Sequence, residues 1–443
     1  MNRTKLTFGK AAKGLLATAA LCLVAATAVA QSAGAYKGVE LHFAVCAEQF
    51  ADYTKTIAKD FSDKTGAKVT VDVLGYVELY QKLTQDFSSH SAQYDLMTTD
   101  ILWTGEFAKN GWTKDLASLI AKDKKEIDYA DIMPVTWTCG SAGSKQVAFP
   151  LAGYAASLIY RKDLFEDPKE KAAFKAKYGY ELAAPQTMDQ LRDAAEFFTR
   201  PDKKLYGLVA NGARGSAVAQ DWMEYMRGFG GQVIDKGGKV AIDSPEALAS
   251  LKYFVSIFDK FAPPGAIGYW WDDRETAYRS GQAVMEFSWS IARAGYEDPK
   301  ISQVVGKTGM VATPAVKGVK ASYGFGGYGV GINSDSSPAK QEASWAFIKY
   351  MTSKGVMKAW MLHDGAPIRL STLKDKDLNA KLPWLASEIL QVFQNGDGDY
   401  RPRVAQANEI QTILGLRVNQ AITHESTPEK AIQDASKDLK ALF

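Results

Sequence analysis

Histidine and cysteine are scarce in this chain, with four and three residues among 443. The histidines (His42, His90, His363 and His424) are scattered and never stand at metal-ligand spacing. No HExxH, CxxC or GxSxG motif occurs, so zinc and serine-hydrolase chemistry have no support in the sequence. An excess of charge is missing as well. Lys and Arg number 53 against 50 Asp and Glu, and the formal net charge is +3. Arg3, Lys5, Lys10 and Lys13 all fall in the first 30 residues, which hold no acid. Without that segment, 49 basic side chains face 50 acidic ones, and the net charge becomes −1. A body this balanced has no electrostatic footprint for nucleic acid or an anionic membrane. Hydrophobic residues make up 46% and aromatics 11%, which suits a packed protein and excludes disorder.

The one long uncharged run is Gly14–Ala30, which follows the basic cluster and closes on Ala28-Val29-Ala30, the small-x-small pattern that signal peptidases read. It is shorter than the ~20 apolar residues a spanning helix needs. Leu21, and no small residue, precedes Cys22, which argues against lipid attachment. The expectation is a cleaved signal peptide over residues 1–30 and a soluble periplasmic protein from about Gln31. Export leaves Cys46 and Cys139. An oxidising compartment permits a disulfide between them, and the sequence leaves their separation open.

Length suggests two or three domains. Leu41, Phe43 and Val45 alternate as a half-buried strand does, Tyr53, Ile57 and Phe61 recur as a helix face does, and Val69, Val71 and Val73 alternate again. Strand, helix and strand in about 35 residues make a βαβ unit, hence a parallel sheet with helices on its faces. A helix near residues 78–87 and a strand near 95–99 continue the rhythm. Further on, Thr187-Met188-Asp189-Gln190 is a capping box, followed by Leu191, Ala194, Ala195 and Phe198 on one face. Ser244-Pro245, Ser337-Pro338 and Thr427-Pro428 each set a cap before a proline at the first helical position. No repeat and no long linker marks a boundary between lobes, as expected if the chain crosses between them more than once.

Two glycine-rich stretches imitate known loops. Residues 324–329 spell a formal GxGxxG, but Val330-Gly331-Ile332 continues as an extended run and the next helix start is near Pro338. A dinucleotide loop would open a helix inside the motif, so a glycine-rich strand is expected here. Asn395–Tyr400 resembles a calcium loop, yet its sixth position is Tyr400 where glycine is needed and its twelfth is Gln406 where glutamate is needed. A solvated turn is expected instead. The aromatics say more. Trp222, Trp345 and Trp360 sit in helical patterns and read as core. Trp270-Trp271-Asp272-Asp273, after the turn-forming Pro263-Pro264-Gly265, sets two rings beside two acids. A sugar suits such a site, because its C–H faces stack on aromatics and its hydroxyls donate to carboxylates. Glu48, Asp100 and Asp272 would also serve a glycosidase if two of them converged on one bond.

Several stretches, taken in order, resemble the bacterial extracellular solute-binding proteins of the maltose/oligosaccharide-binding type, the substrate-capturing subunits of ABC importers. They are Tyr94–Trp103 with the following EFAKNGW, Val147–Leu151, the YRKDLF of residues 160–165, PQTMDQLRDAAEFF at 185–198, SGQAVMEFSWS at 280–290, Gly326-Gly327-Tyr328 with the helix at 344–351, and Gly365–Arg369. The resemblance implies an α/β fold of two doubly wound α/β lobes joined by a multi-crossing hinge, with ligand in the cleft. It implies an N-terminal lobe of residues 31–150 plus 316–368 and a C-terminal lobe of 151–315 plus 369–443. The implied cleft residues are Glu48, Gln49, Tyr76, Asp100, Trp103, Tyr154, Arg214, Trp270, Trp271, Asp272, Trp289, Gly326, Gly327, Tyr328 and Arg369. Many relatives carry Gly-Gly-Trp where this chain has Tyr328. The function implied is capture of a mono- or oligosaccharide or polyol by lobe closure, without catalysis, cofactor, metal or nucleic acid. The protein would act as a monomer that hands its carbohydrate ligand to the membrane-embedded permease subunits. A periplasmic glycosidase or lyase, and the same binding fold with a polyamine or amino-acid ligand, are the rival readings.

Overall fold

The computed structural model describes residues 34–443; the signal peptide expected over residues 1–30 lies outside them. Strand β1 (Glu40–Cys46), helix α1 (Ala51–Thr65) and strand β2 (Lys68–Leu74) form the βαβ unit, and β1 pairs with β2 in parallel from Glu40–Lys68 to Cys46–Leu74. Leu41, Phe43 and Val45 are buried, and so is Ala44, because helices cover both faces of the sheet. α1 buries Ile57 and Phe61 and stops at Gly66, whose φ of 78° gives the left-handed cap that glycine adopts without strain. Helix α2 (Tyr76–Ser89) buries Leu79, Leu83 and Phe87 along one face, and strand β3 (Leu96–Asp100) lies parallel to β1.

The chain then enters the thirteen-residue strand β4 (Phe149–Arg161). Beyond it come helix α3 (Met188–Phe198), opened by the Thr187–Gln190 capping box, helix α4 (Ser216–Gly228), helix α5 (Pro245–Lys260) and helix α6 (Trp271–Arg279). Strands β5 (Met285–Trp289), β6 (Thr308–Val311) and β7 (Tyr323–Ile332) follow, then helices α7 (Pro338–Met351), α8 (Lys354–Met361), α9 (Ala407–Ile422) and α10 (Pro428–Lys440). The Ser244 and Thr427 hydroxyls accept from the backbone of α5 and α10 as caps. At Ser337 only the proline part of that signal operates, and its side chain makes no cap bond.

The sheet order is β2-β1-β3-β7-β4-β5, with β6 also on β4. The first three strands are parallel; β7 runs antiparallel to β3 and β4, and β5 and β6 run antiparallel to β4. β4 and β7 are the crossing strands. Phe149, Leu151, Ala152 and Tyr154 of β4 belong to a core with β1–β3, α1, α2, α7 and α8, whereas Leu158 belongs to a second core with α3–α6, α9 and α10. Ala155 and Ile159 of β4 and Phe325 of β7 pack against residues 370–393 in a third cluster. The lobes are thus mixed α/β bodies linked by shared strands.

β7 is the glycine-rich strand anticipated at residues 324–332. A Cβ on Gly327, whose φ is 139°, would stand 2.1 Å from the carbonyl oxygen of Ala152, so only glycine lets β4 and β7 approach there. Asn395 closes a helix, and in place of the expected solvated turn Gly396-Asp397 pair in parallel with Tyr323-Gly324 of β7, so that Asp399, whose amide donates to Asp397 at 3.0 Å, is the exposed residue of the stretch 396–400. Trp222, Trp345 and Trp360 are core residues. Cys46 and Cys139 are both buried free thiols. Among the described residues no helix is long and apolar enough to cross a membrane.

Candidate functional site

The parallel strands β1 and β3 end on the same side, and open α/β sheets leave their ligand crevice at that edge. There β1 runs out into Cys46, Ala47, Glu48 and Gln49, β3 ends in Asp100, and Gly75-Tyr76 begins α2. The facing wall consists of Trp270 and the start of α6 with Trp271, Asp272 and Glu275, together with Gln220 of α4 and Arg401 ahead of α9; Trp289 at the end of β5 and Ile291 also line the space and pack on the first core. Tyr154 of β4 and Tyr328 of β7 complete the lining. Together they enclose a cavity of about 270 Å³.

The walls are aromatic. Tyr76 packs on Trp103 with ring centroids 5.0 Å apart and meets Trp271 edge-on at 5.9 Å, a contact that joins the two lobes. Trp270 stands edge-on to Trp271 at 4.9 Å, and Tyr154 touches both Trp289 and Tyr328. Trp103 lies behind Tyr76, fully buried, and so supports the wall instead of lining it.

Carboxyl groups crowd the space between these rings. Glu48 accepts from the Tyr328 hydroxyl at 3.1 Å. Burial, aided by the negative charges of Glu275, Asp100 and Asp272, pushes the Glu48 carboxyl up to about 8. Burial likewise pushes Glu275 up to about 7, against the opposing pull of Arg274 and Arg279. Asp100 is also raised by burial, which Arg401 and the Leu102 amide (2.8 Å) counter. Arg401 is the single cation in the lining. It is fully buried, donates from Nη1 to Gln220 Oε1 at 2.9 Å, and lies over the rings of Trp289 (4.8 Å) and Tyr400 (5.2 Å). Three lining residues keep a buried polar atom without a protein partner: the Tyr76 hydroxyl, Trp271 Nε1 and Arg401 Nε. Such an atom costs roughly 1–3 kcal/mol while it stays unpaired.

Of the residues the sequence singled out, Glu48, Gln49, Tyr76, Asp100, Tyr154, Trp270, Trp271, Asp272, Trp289 and Tyr328 meet around this cavity. Gly326 and Gly327 lie in the strand beneath it; a Cβ on Gly326 would stand 2.6 Å from Arg401 Nη2 and 3.0 Å from the Trp289 ring. The structure places two residues elsewhere. Arg369 is buried, donating to the carbonyls of Thr352 (2.6 Å) and Ile127 (2.9 Å), and so ties loops of the first lobe together. Arg214 is half exposed, donating to Asn419 at 3.1 Å and facing Glu425. Sequence reasoning missed Gln220, Glu275 and Arg401. Glu275 had a signal, since it follows Asp272 by one helical step of three and so shares its face. Gln220 sits in a helix that reads as core, and Arg401 lies in a loop with no periodicity to place it.

Comparison with known proteins gives three kinds of likeness. The profile of the bacterial extracellular solute-binding proteins matches residues 47–358. The crystal structure of an ABC transporter solute-binding protein from Agrobacterium radiobacter K84, in complex with ribitol, is 41% identical, has a TM-score of 0.86, and covers 92% of this chain and 100% of its own. Maltose-bound MalE3 of T. maritima is 29% identical with a TM-score of 0.80, again over 92% of this chain and 100% of that one. A protein of Sinorhizobium fredii described as a probable amino-acid ABC transporter periplasmic-binding protein is 26% identical over 437 residues, 98% of this chain and 96% of the relative.

Proposed function

The chain belongs to the bacterial extracellular solute-binding proteins, and on that premise we propose that it captures a small polyol or monosaccharide between its lobes for an ABC importer. The observation that carries this reading is the composition of the cavity. Four carboxyls, one guanidinium and a set of aromatic rings surround about 270 Å³. Each hydroxyl of a polyol can donate to a carboxylate and accept from a neighbouring donor, while its C–H faces lie on the rings. Acceptors on both walls (Glu48 and Asp100, Asp272 and Glu275) and donors such as Arg401 match that dual demand. The volume lies just below the ~300–1,000 Å³ of drug-sized pockets, which favours one five- or six-carbon unit over an oligosaccharide. The A. radiobacter relative with ribitol bound supports the same ligand class.

The mechanism is binding without bond-making. Closure turns on the crossing strands β4 and β7 and brings Trp271 onto Tyr76, burying the ligand. A ligand that binds only the closed form stabilises it by ~2.7 kcal/mol at a hundredfold excess over Kd. In this reading the signal peptide is cleaved, and the mature protein works in the periplasm as a monomer that presents its closed form to the permease.

A thermal-shift screen of pentitols, hexitols, monosaccharides, maltose, amino acids and polyamines tests the proposal. A pentitol, hexitol or monosaccharide should raise the melting temperature by roughly 5 °C at a hundredfold excess over Kd. Shifts with amino acids, polyamines or maltose alone would refute it.

A further inference from the structure

Resting on the polyol reading above, we infer that Gln411, which does not line the cavity, is a positioning residue for ligand capture: it clasps the Tyr76 hydroxyl across the boundary between the lobes and, through Gln220, holds Arg401 at the cavity wall. Gln411 is buried on α9, whose apolar face (Ile410, Leu414, Val418) belongs to the second core, whereas Tyr76 opens α2 and packs on the first. The chain brings these elements into direct contact. A Cβ on Gly105, in the helix Thr104–Asn110 that packs on the first core through Phe107, would stand 2.7 Å from the Arg403 carbonyl oxygen. The segment that leads from Arg401 into α9 therefore rests on the first lobe.

The hydrogen bonds behind the cavity run in series, and Arg401 fixes their direction. A guanidinium can only donate. Arg401 Nη1 gives a bond of 2.9 Å to Gln220, which must turn Oε1 toward it and Nε2 away. That Nε2 donates at 2.6 Å to Gln411, which must present its own Oε1. Gln411 Nε2 is then left over as a donor, buried and without a partner. Beside it lies the Tyr76 hydroxyl, also buried and without a partner. Burial raises the Tyr76 phenol far above its ordinary value and the Asp100 charge adds to this, while Arg401 and the Gln411 amide pull it back. An unspent donor next to an unspent acceptor, one from each lobe, is the arrangement of a bond that closure completes. In an open cleft water serves both atoms. Closure expels that water, and two dry, unpaired polar groups would then oppose the closed form unless they meet each other. The clasp therefore ties the meeting of the lobes to the placing of the one cation in the lining.

The test is a double-mutant cycle on ribitol affinity, measured by calorimetric titration of the mature protein, Gln411→Met, Tyr76→Phe and the double variant. Ribitol gives way to the tightest-binding polyol or monosaccharide of the thermal-shift screen if that is another. Phenylalanine keeps the ring in the cavity wall and removes the hydroxyl alone. Tyr76→Phe should weaken binding about fivefold and Gln411→Met about tenfold, with the double variant no weaker than Gln411→Met. Stopped-flow tryptophan fluorescence should place the loss in faster dissociation, with association unchanged, and melts of the ligand-free proteins establish that each variant is folded. Affinity within twofold of the wild type in either single variant, or a double variant weakened about fiftyfold, overturns the clasp and leaves the polyol reading intact. A wild type that ignores polyols and monosaccharides and takes maltose, an amino acid or a polyamine overturns the polyol reading, and the same cycle run with that solute then decides the clasp. A wild type that binds none of these solutes overturns both.

Discussion

Arg274 and Glu275 are consecutive on α6 and belong to two buried charge clusters built on opposite terms. Behind α6, Arg274 donates to Asp221 Oδ1 (2.8 Å), Glu286 Oε2 (3.0 Å) and the Ser288 hydroxyl (3.0 Å), while the Tyr296 hydroxyl (2.6 Å) and the Asn211 amide (2.8 Å) serve the same two acids. In front of α6, Glu275 and Glu48 face a cavity, and Glu48 has the Tyr328 hydroxyl as its one side-chain donor. Titration does not separate the clusters, since burial pushes Glu286 up to about 8, as it does Glu48. Partners separate them. A buried carboxylate whose donors all come from the protein is scaffold, and one whose capacity is left toward a cavity is a binding group.

The strongest way to break this comparison is Arg274→Met, which leaves Asp221 and Glu286 buried without their cation. It should cost about 3–5 kcal/mol of stability in a denaturant melt; a loss below 1 kcal/mol would mean that the network is not scaffold. Trp271→Ala strikes the other cluster. It should weaken ribitol binding by about 2 kcal/mol, or ~30-fold, while the ligand-free melt moves far less than in Arg274→Met. Glu275→Gln sharpens the contrast between neighbours: ribitol affinity should fall about tenfold, as for a hydrogen bond to a charged group, with stability held or raised.

The pH dependence comes next in size. A glutamate loses its proton near 4.5 when exposed, but Glu48 keeps it to about 8 in the folded protein. The unfolded chain therefore ionises first as pH rises. The stabilisation is full below about 4.5 and is lost progressively up to about 8. Melting temperature should decline from pH 5 to pH 8, and Glu48→Gln should flatten that decline; an unchanged slope in the variant would remove Glu48 from the account. The smallest effect belongs to Arg214→Ala. Its half-exposed ion pair with Glu425 should change stability by no more than about 0.5 kcal/mol and leave ribitol affinity unaltered.

What the residues disclosed in advance followed from periodicity and local chemistry. The alternation at Leu41–Val45 and Val69–Val73 and the capping box at Thr187 found their elements because hydrophobic period and cap geometry are local. Trp270-Trp271 marked a wall of the cavity because two adjacent rings cannot both be buried in one direction. Trp271 also opens α6, and that helix is what carries Glu275 into the cavity. Arg401 was illegible, since its position depends on the bare backbone of Gly326, more than seventy residues earlier in the chain. Arg369 and Arg214 show the reverse problem. A charged residue in a recognised stretch carries no mark of which way its side chain turns, and Arg369 turns inward to backbone carbonyls.

The central claim, that Trp271 and its neighbours close over a small polyol, is tested most directly by titrating ribitol into the wild type and into Trp271→Ala. The account predicts saturable one-site binding in the wild type and binding at least ~30-fold weaker in the folded variant. Equal affinity in the two proteins would contradict it.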